Sequence, residues 1–371
     1  MDFNKLNNLL AGEPAWRQKQ VKQLVFCDLI DNWNQATTLP LKLRAKFEKE
    51  WPLEIEAGIF VSKDERTIKA LFVLPDDFRI ESVLMRHEGR NTVCVSSQVG
   101  CALACSFCAT GRMGFKRNLT AGEIVSQVLF WARWLKKNNI SPFEKGGLRG
   151  ILKLTSPQPS PSKGEGEIHP APPFKRRETE KVNNIVFMGM GEPLLNYDNV
   201  LAAIKMINDP KGLAIGARHI SISTVGIIEG IERLAQETIQ VNLAISLHAP
   251  TDELRLSLMP INKKYPIEKV LEAVDEYINK TRRKVMFEYI MIKGVNDSEE
   301  QARRLAKILK RPLIFINLIA CNPTGELKPS LAAQIKKFKD ILEKSGLQAL
   351  QRYRFGEEIG AACGQLAGGK K

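Results

Sequence analysis

The feature that most constrains the fold is an alternation that begins near residue 91. Short apolar runs rich in β-branched residues alternate with longer stretches of helical periodicity. Strand alternating with helix predicts parallel βαβ units, and six units are too few to close an eight-fold barrel. We therefore predict an α/β fold built as an open partial (β/α)6 barrel, with a doubly wound sheet as the alternative. The six runs are NTVCVSSQ, NNIVFMGM, HISIST, VNLAISL, KVMFEYIMI and LIFINLI.

Local signals place the helices and one hairpin. Thr120 and Glu123 form a capping-box pattern before an apolar, helix-periodic stretch. FRIESVLMRH precedes the first of the six runs and is separated from it by the turn-like residues 87–90, which predicts a β-hairpin. The other predicted helices cover residues 198–208, 227–237, 266–280, 297–310 and 331–344.

The chain is predicted to have a small N-terminal module, a barrel and a tail. Apolar residues at helical spacing, punctuated by prolines, indicate a compact helical module at the N-terminus that could assist RNA binding. One Pro- and Gly-rich stretch without periodicity is typical of a flexible surface insertion. The predicted parts are residues 1–75 (helical module), 76–355 (barrel), 142–181 (insertion within the barrel) and 356–371 (tail).

The amino-acid composition indicates which class of partner this protein binds and in which compartment it works. The 371 residues include 55 Lys+Arg against 41 Asp+Glu, a formal net charge of +14, which favours a polyanionic partner such as nucleic acid. No apolar run is long enough to span a membrane, and the N-terminal segment lacks a signal-peptide core, so we expect a cytoplasmic protein that binds no membrane. The seven cysteines are an odd number and include a tight group of three, which in a reducing compartment indicates metal binding or catalysis.

The group of three is Cys101, Cys105 and Cys108, a C-x3-C-x2-C pattern directly after the first predicted barrel strand. Three thiolates can bind three irons of a cubane cluster and leave the fourth iron open to a ligand. A zinc site would need a fourth Cys or His at matching spacing, and none lies nearby. The alternative to a metal site is that these three cysteines are small hydrophobic residues buried in the core.

Polar residues follow several of the other predicted strands. Glu192 closes the second, Ser223 the third, and Ser246 and His248 the fourth, while Asn322 follows the sixth. The carboxyl ends of barrel strands meet at one rim, where chemistry gathers in such folds. A carboxylate there can accept a hydrogen bond from an ammonium group. Taken singly, each of these residues could equally be a cap or turn residue.

Several stretches together resemble one known family. They are VSSQVGCALACSFCAT, MGMGEPLL, SLHAPTDELR, MPINKKY and AACGQLAG. The first is similar to the signature of the radical S-adenosylmethionine (SAM) superfamily, and the set resembles the RlmN family, which methylates C2 of an adenine in ribosomal and transfer RNA. The resemblance implies a [4Fe–4S] cluster on Cys101, Cys105 and Cys108, whose open iron is chelated by SAM and cleaves it to a 5′-deoxyadenosyl radical. It also implies cofactor binding by Gly191, Glu192, Ser223, Ser246, Leu247, His248 and Asn322.

The resemblance further implies two catalytic cysteines and a base. Cys363 would take a methyl group from one SAM molecule, and a second SAM would generate a methylene radical on it that adds to C2. Cys94 would then attack the Cys363 sulfur, forming a transient disulfide and freeing the product. Glu81 matches the family's acceptor of the C2 proton. On the residues alone, Cys94 could be a core residue and Glu81 a solvent-facing strand residue.

The resemblance also implies the partners, which are 23S ribosomal RNA, transfer RNA and an electron donor such as a flavodoxin or ferredoxin. We expect the protein to be a monomer. Two other functions stay open at this point. One is methylation at C8 of adenine, as in antibiotic-resistance relatives; those tend to have Ala where this chain has Pro193, which favours C2. The other is a non-catalytic RNA-binding iron–sulfur protein.

Overall fold

The fold is that of a computed structural model, which describes residues 1–87, 89–138, 181–322, 327–352 and 356–368. The predicted insertion at 142–181 lies outside the described residues apart from Lys181. Within the described ranges, no helix combines the length and the apolar character that crossing a bilayer requires.

The helices fall close to the positions predicted from periodicity and caps. Thr120 and Glu123 form the predicted reciprocal cap: the Thr120 amide donates to Glu123 Oε2 (2.8 Å), and the Glu123 amide donates to Thr120 Oγ1 (3.2 Å). The described helices are α1 (Phe3–Leu10), α2 (Ala15–Phe26), α3 (Leu41–Glu50), α4 (Ala109–Arg112), α5 (Ala121–Asn138), α6 (Tyr197–Asn208), α7 (Ile228–Leu234), α8 (Asp252–Leu258), α9 (Ile267–Thr281), α10 (Glu299–Ile308) and α11 (Ala332–Lys344).

Ten of the described strands form one sheet, and two more form a small ribbon beside it. The strands are β1 (Ala57–Val61), β2 (Thr67–Val73), β3 (Arg79–His87), β4 (Arg90–Cys94), β5 (Gln98–Val99), β6 (Arg117–Asn118), β7 (Asn184–Phe187), β8 (Ile220–Thr224), β9 (Asn242–Ser246), β10 (Val285–Met291), β11 (Ile314–Ala320) and β12 (Ala349–Arg352). The sheet order is β1-β2-β3-β4-β7-β8-β9-β10-β11-β12, and β5 pairs with β6.

The strand order confirms the partial barrel. From β4 to β12 the neighbours follow the sequence and pair in parallel, and all six predicted barrel strands are among them. A doubly wound sheet reverses its strand order at a switch point, so that alternative is wrong. The predicted hairpin is present as the antiparallel β3–β4 pair. Strand β12, which pairs in parallel with β11, was not predicted because its sequence ALQR lacks an apolar run.

The N-terminal region is helical only as far as Glu50. Its core packs Trp33 against Phe47 with ring centroids 4.6 Å apart, and Trp33 Nε1 donates to the carbonyl of Trp51 (3.0 Å). The predicted helical module at 1–75 also contains β1 and β2, which extend the barrel sheet beyond β3: β2 pairs antiparallel with β3, and β1 pairs antiparallel with β2. Ile68, Ala70 and Phe72 are buried at alternate positions of β2, a period-two pattern that the sequence prediction overlooked. The division into domains itself stays a prediction.

Candidate active site

The three clustered cysteines lie in the loop between β5 and α4. Cys101 and Cys105 are buried, and Cys108 is partly exposed. Burial raises the pKa of the Cys101 thiol to about 12 and raises that of Cys105 as well. The thiols of Cys101 and Cys105 are therefore neutral until a metal displaces their protons. No three His, Cys, Asp or Glu side chains in the described ranges converge as they would around a single metal ion.

The path of this loop depends on Gly100. Its φ is +72°, and a Cβ built there would lie 1.8 Å from the carbonyl oxygen of Gly114, so only glycine fits. The Cys101 amide donates to that same Gly114 carbonyl (3.2 Å), which closes the loop at its base. On the far side, the Ser106 amide donates to the Leu258 carbonyl (2.9 Å) and ties the loop to the end of α8.

The loop forms one wall of a cavity at the carboxyl ends of the barrel strands, which we call the cluster cavity. Five of the seven predicted cofactor residues line the same cavity as the three cysteines: Gly191, Glu192, Ser223, Ser246 and His248. Of the other two, Asn322 lines a neighbouring cavity, and Leu247 is fully buried and lines neither. The structure thus brings five of the seven residues together in one cavity, while the role of all seven as cofactor ligands stays a prediction.

Glu192 is held rigidly in the wall of the cluster cavity. Its Oε1 accepts from the Leu194 amide (3.1 Å) and its Oε2 from the Val225 amide (3.0 Å). Burial raises the pKa of Glu192 to about 7 despite these bonds. Gly191, with φ +96°, packs against Gln98: a Cβ there would lie 2.5 Å from the Gln98 Cβ. Gly191 therefore serves close packing of the protein itself.

His248 has a left-handed backbone, with φ +63°. The amide of Ile290 donates to its Nδ1 (3.1 Å), and the ring packs edge-on against Phe107 with centroids 5.0 Å apart. Burial lowers the pKa of His248 to about 3, so the ring is neutral at physiological pH. Because Nδ1 accepts, the proton is on Nε2, which leaves that nitrogen as a donor.

A second cavity adjoins the first, and we call it the thiol cavity. It is lined by Cys94 and by alternate residues of the β3–β4 hairpin, among them Val83 and Met85. Cys94 is the last residue of β4 and is buried, and burial raises the pKa of its thiol to about 12. Four residues line both cavities: Met188, Ile319, Arg352 and Cys363.

Cys363 is exposed, but the tail that carries it is firmly docked. Asn322 Nδ2 donates to the Cys363 carbonyl (2.9 Å), and the Ala109 amide donates to the Gly364 carbonyl (2.7 Å). Thr110 Oγ1 donates to the carbonyl of Leu366 (2.6 Å). The tail is thus held against α4 and Asn322, and Cys363 lines both cavities.

Glu81 is a buried residue of β3, which rules out the solvent-facing alternative. Its Oε1 lies 3.0 Å from Lys69 Nζ, and its Oε2 accepts from the Ala367 amide of the tail (2.8 Å). Glu81 lines neither the cluster cavity nor the thiol cavity. In this conformation the carboxylate anchors the tail.

Two buried oxygens in the cavity walls indicate room for a polar ligand. Asn322 Oδ1 and Glu288 Oε2 have no hydrogen-bond partner in the part of the chain that the structure describes, although Glu288 Oε2 lies 3.7 Å from Arg352 Nη1 in an ion pair. A buried unpaired acceptor costs free energy unless a ligand or water satisfies it. Three thiols in one loop, a neutral His and these acceptors fit an iron–sulfur cluster with a polar, cationic cofactor.

Sequence reasoning missed Glu288 on β10 and Arg352 on β12. Glu288 lines the cluster cavity, and Arg352 lines both cavities. The signal for Glu288 was present as a single carboxylate inside the apolar run KVMFEYIMI. Arg352 offered no such signal because β12 was not predicted.

Comparisons with known proteins agree with this architecture. The model of the radical SAM superfamily matches residues 175–306. A radical SAM methyltransferase of Sphaerobacter thermophilus, solved by crystallography, is 38% identical, with a TM-score of 0.85 over 100% of this chain and 98% of that one. Fold and site together therefore define a radical SAM methyltransferase.

Curated relatives narrow the class to one family. A protein of Dictyoglomus thermophilum, named "Probable dual-specificity RNA methyltransferase RlmN", is 42% identical over 98% of this chain and 94% of its own length. The protein of the same name from Symbiobacterium thermophilum is 41% identical over 99% of this chain and 90% of its own length. The chain belongs to the RlmN family of RNA methyltransferases, which confirms the resemblance seen in the sequence motifs.

Proposed function

We propose that this enzyme methylates C2 of an adenine in 23S ribosomal RNA and in transfer RNA, with a [4Fe–4S] cluster and two SAM molecules per turnover. Membership of a family of dual-specificity RNA methyltransferases supports both substrates. The net charge of +14 supports a polyanionic partner. A flavodoxin or ferredoxin as electron donor, a monomeric state and a cytoplasmic location are part of this proposal.

The residues of the cluster cavity would divide the binding of the cofactors. Cys101, Cys105 and Cys108 would each bind one iron as thiolates. Glu192 would accept a hydrogen bond from the cationic amino group of SAM, and His248 would donate from Nε2. When bound, the cluster and SAM supply the carbon radical that removes hydrogen from an S-methyl group.

The two remote thiols would carry the methyl group. The Cys363 thiolate forms a bond to the methyl carbon of SAM as the bond from that carbon to the sulfonium sulfur breaks, and S-adenosylhomocysteine leaves. After the methylene carbon has bonded to C2, the adduct radical would give one electron back to the cluster and C2 would lose its proton. The Cys94 thiolate would then form a bond to the Cys363 sulfur as the sulfur–carbon bond breaks, and the freed carbon would take up a proton to become the methyl group. Glu81 remains the proposed acceptor of the C2 proton.

One observation supports this scheme above all. Cys363 lines both the cavity of the three clustered cysteines and the cavity that contains Cys94. A residue that carries a methyl group must reach SAM to receive the group, and it must reach the resolving thiol when the group is released. The exposed Arg90 at the outer end of the thiol cavity supplies a cation where a phosphate of RNA would approach.

The test is anaerobic reconstitution with iron, sulfide, SAM, a reductant and separate fragments of 23S RNA or transfer RNA. Mass spectrometry of the digested RNA should find 2-methyladenosine, and the supernatant should contain 5′-deoxyadenosine. Finding 8-methyladenosine in its place would move the target carbon to C8. Bound RNA without release of 5′-deoxyadenosine would make the protein a binder and would refute the proposal.

A further inference from the structure

Two of the sequence motifs, SLHAPTDELR and MPINKKY, meet at one buried arginine behind the cluster cavity. Arg255 of α8 ends the first motif, is fully buried, and lines neither the cluster cavity nor the thiol cavity. Its Nη1 donates to Oδ1 of Asn262 (2.7 Å) and to the carbonyl of Tyr265 (2.9 Å), both in the second motif. No step of the proposed function uses Arg255 so far.

The other two hydrogen bonds of Arg255 reach the ends of two neighbouring barrel strands. Its Nη2 donates to the carbonyl of Val225 (2.5 Å), which directly follows β8. Its Nε donates to the carbonyl of Leu247 (3.2 Å), which directly follows β9. The planar guanidinium offers donors in several fixed directions at once, whereas a lysine at this position, with a single nitrogen, could not reach all four acceptors.

Each of these two carbonyls precedes a residue with a left-handed backbone. Gly226 follows Val225 with φ +100°, and His248 follows Leu247 with φ +63°. For a residue with a side chain, such a backbone is unfavourable and persists only where the surrounding structure holds it. Arg255 therefore holds both turns through the peptide group that leads into each of them.

Both turns connect to side chains that the proposed function assigns to SAM binding. The Val225 amide donates to Oε2 of Glu192 (3.0 Å), so a shift of the first turn moves that carboxylate. The second turn carries the ring of His248, whose Nδ1 accepts from the Ile290 amide (3.1 Å). Glu192 and His248 both line the cluster cavity, where a displacement of about 1 Å is enough to weaken contacts to a ligand.

We propose that Arg255 is a positioning residue: it fixes the two turns that place Glu192 and His248, and it thereby sets the affinity of the enzyme for SAM. The binding of SAM by these two side chains rests on the proposed function. Because Arg255 lines neither cavity, its effect on SAM is transmitted only through the turns. The two motifs would thus share one task, which is to hold the wall of the cluster cavity in shape.

The experiment is equilibrium dialysis of SAM against anaerobically reconstituted protein. Every protein also carries Cys363→Ala, and reductant and RNA are left out, so that SAM is bound without being consumed. Arg255→Lys keeps the charge but loses part of the hydrogen bonds. We expect it to raise the Kd for SAM about tenfold, the lower end of the effect of residues that orient the ligands of a metal site. The amount of SAM bound at saturation should stay that of the parent protein.

A purely structural role predicts the opposite result, because misfolded protein lowers the amount of SAM bound at saturation and leaves the Kd of the folded fraction unchanged. Arg133→Lys is the matched control. Arg133 on α5 is buried as well, and its Nη1 donates to the carbonyl of Leu53 (2.8 Å), outside both cavities. The same substitution there should lower the urea midpoint and leave the Kd for SAM unchanged.

In the RNA assay, with Cys363 restored, Arg255→Lys should raise the KM for SAM about tenfold while kcat stays within about threefold of the wild type. This split is expected for a residue that supports the binding of SAM and takes no part in the chemical steps. Arg133→Lys should change neither the KM nor kcat.

An unchanged Kd in Arg255→Lys, or an equal rise in Arg133→Lys, would overturn the proposal. Should Arg255→Lys fail to fold, Asn262→Ala decides, because it removes one acceptor of the guanidinium and keeps Arg255 itself. We expect that variant to raise the Kd about threefold, the effect of one hydrogen bond, and an unchanged Kd would overturn the proposal. Variants that bind SAM as expected, in an enzyme that methylates no RNA, would refute the proposed function and leave this inference standing.

Discussion

The reactivity of single residues in this enzyme depends more on how deeply each is buried than on its neighbours in sequence. Cys94 and Cys363 both line the thiol cavity, yet Cys94 is buried and Cys363 is exposed. An exposed thiol can reach a cofactor and a reagent, whereas a buried one reacts only with a partner brought to it. This difference suits a carrier and a resolving thiol.

Replacing Cys363 by Ala should abolish RNA methylation while the iron content stays that of the wild type, because Cys363 is the proposed carrier and not a cluster ligand. The assay is 2-methyladenosine formation under anaerobic conditions, with iron measured on the same sample. Cys27→Ala is the matched control, since Cys27 is exposed as well and should be dispensable. Methylation by Cys363→Ala at the wild-type rate would contradict the two-thiol scheme.

His248 should make the fold sensitive to acid. The pKa of His248 is about 3 in the folded protein, below its ordinary value of 6.5, so the unfolded chain binds the extra proton first. The stability due to neutral His248 is present above pH 6.5 and is lost as pH falls toward 3. Urea unfolding at pH 7.5 and 5 should show a smaller loss for His248→Asn, a residue that tolerates the φ of +63°, than for wild type. Equal losses would contradict the assignment.

The residues that the sequence located best are those whose type and spacing carry the chemistry. Cys101, Cys105 and Cys108 needed no structure to be grouped, because a local loop brings them together. Glu288 and Arg352 are brought to the same cavity only by the pairing of strands distant in sequence. Local pattern contains no information of that kind, which is why sequence reasoning missed both.

Among the segments of the chain, the C-terminal tail is the one whose placement matters most for the site. The sequence predicted only that residues 356–371 form a tail, whereas the structure holds residues 356–368 by hydrogen bonds to α4, to Asn322 and to Glu81. These contacts lie far apart in sequence, so propensity could not indicate them. The docked tail fixes where the Cys363 side chain stands.

Glu81→Ala should loosen the tail. The variant removes both the Lys69 ion pair and the acceptor of the Ala367 amide, so hydrogen exchange of residues 356–368 should accelerate several-fold. Glu81→Gln keeps an acceptor and should accelerate exchange less. Unchanged exchange in Glu81→Ala, together with lost methylation, would assign Glu81 to proton transfer alone.

The start of α5 provides a test of local stability. Thr120→Ala removes the side-chain acceptor of the Glu123 amide and should cost about 1 kcal/mol in the free energy of unfolding. Urea unfolding measures this as a lower midpoint with an unchanged slope. Thr37→Ala, at an exposed position outside any helix, is the control and should stay within about 0.5 kcal/mol.

In the whole molecule, the alternation of strands and helices along the sequence was sufficient to predict the order of the six barrel strands in the sheet. All six predicted barrel strands are present and run parallel in sequence order. The sheet is nevertheless wider than predicted, because β1 and β2 extend one edge beyond the predicted hairpin and β12 extends the other. Edge strands are short or carry weak alternation, and tertiary pairing decides their conformation.

The net charge of +14 should make RNA binding strongly dependent on salt. Each phosphate neutralised by Lys or Arg releases counterions, so the logarithm of the association constant should fall linearly with the logarithm of salt concentration. Filter binding between 50 and 300 mM KCl measures the slope. A slope near zero would show that the charge serves another partner.

In the proposed mechanism Cys363 carries the methyl group between SAM and RNA. The most direct measurement is the mass of the Cys363 peptide after anaerobic incubation of reconstituted enzyme with SAM and reductant, before RNA is added. We predict a gain of one methyl group on Cys363 that disappears when RNA is supplied and methylated. An unmodified Cys363 peptide in a sample that goes on to methylate its RNA would contradict the account.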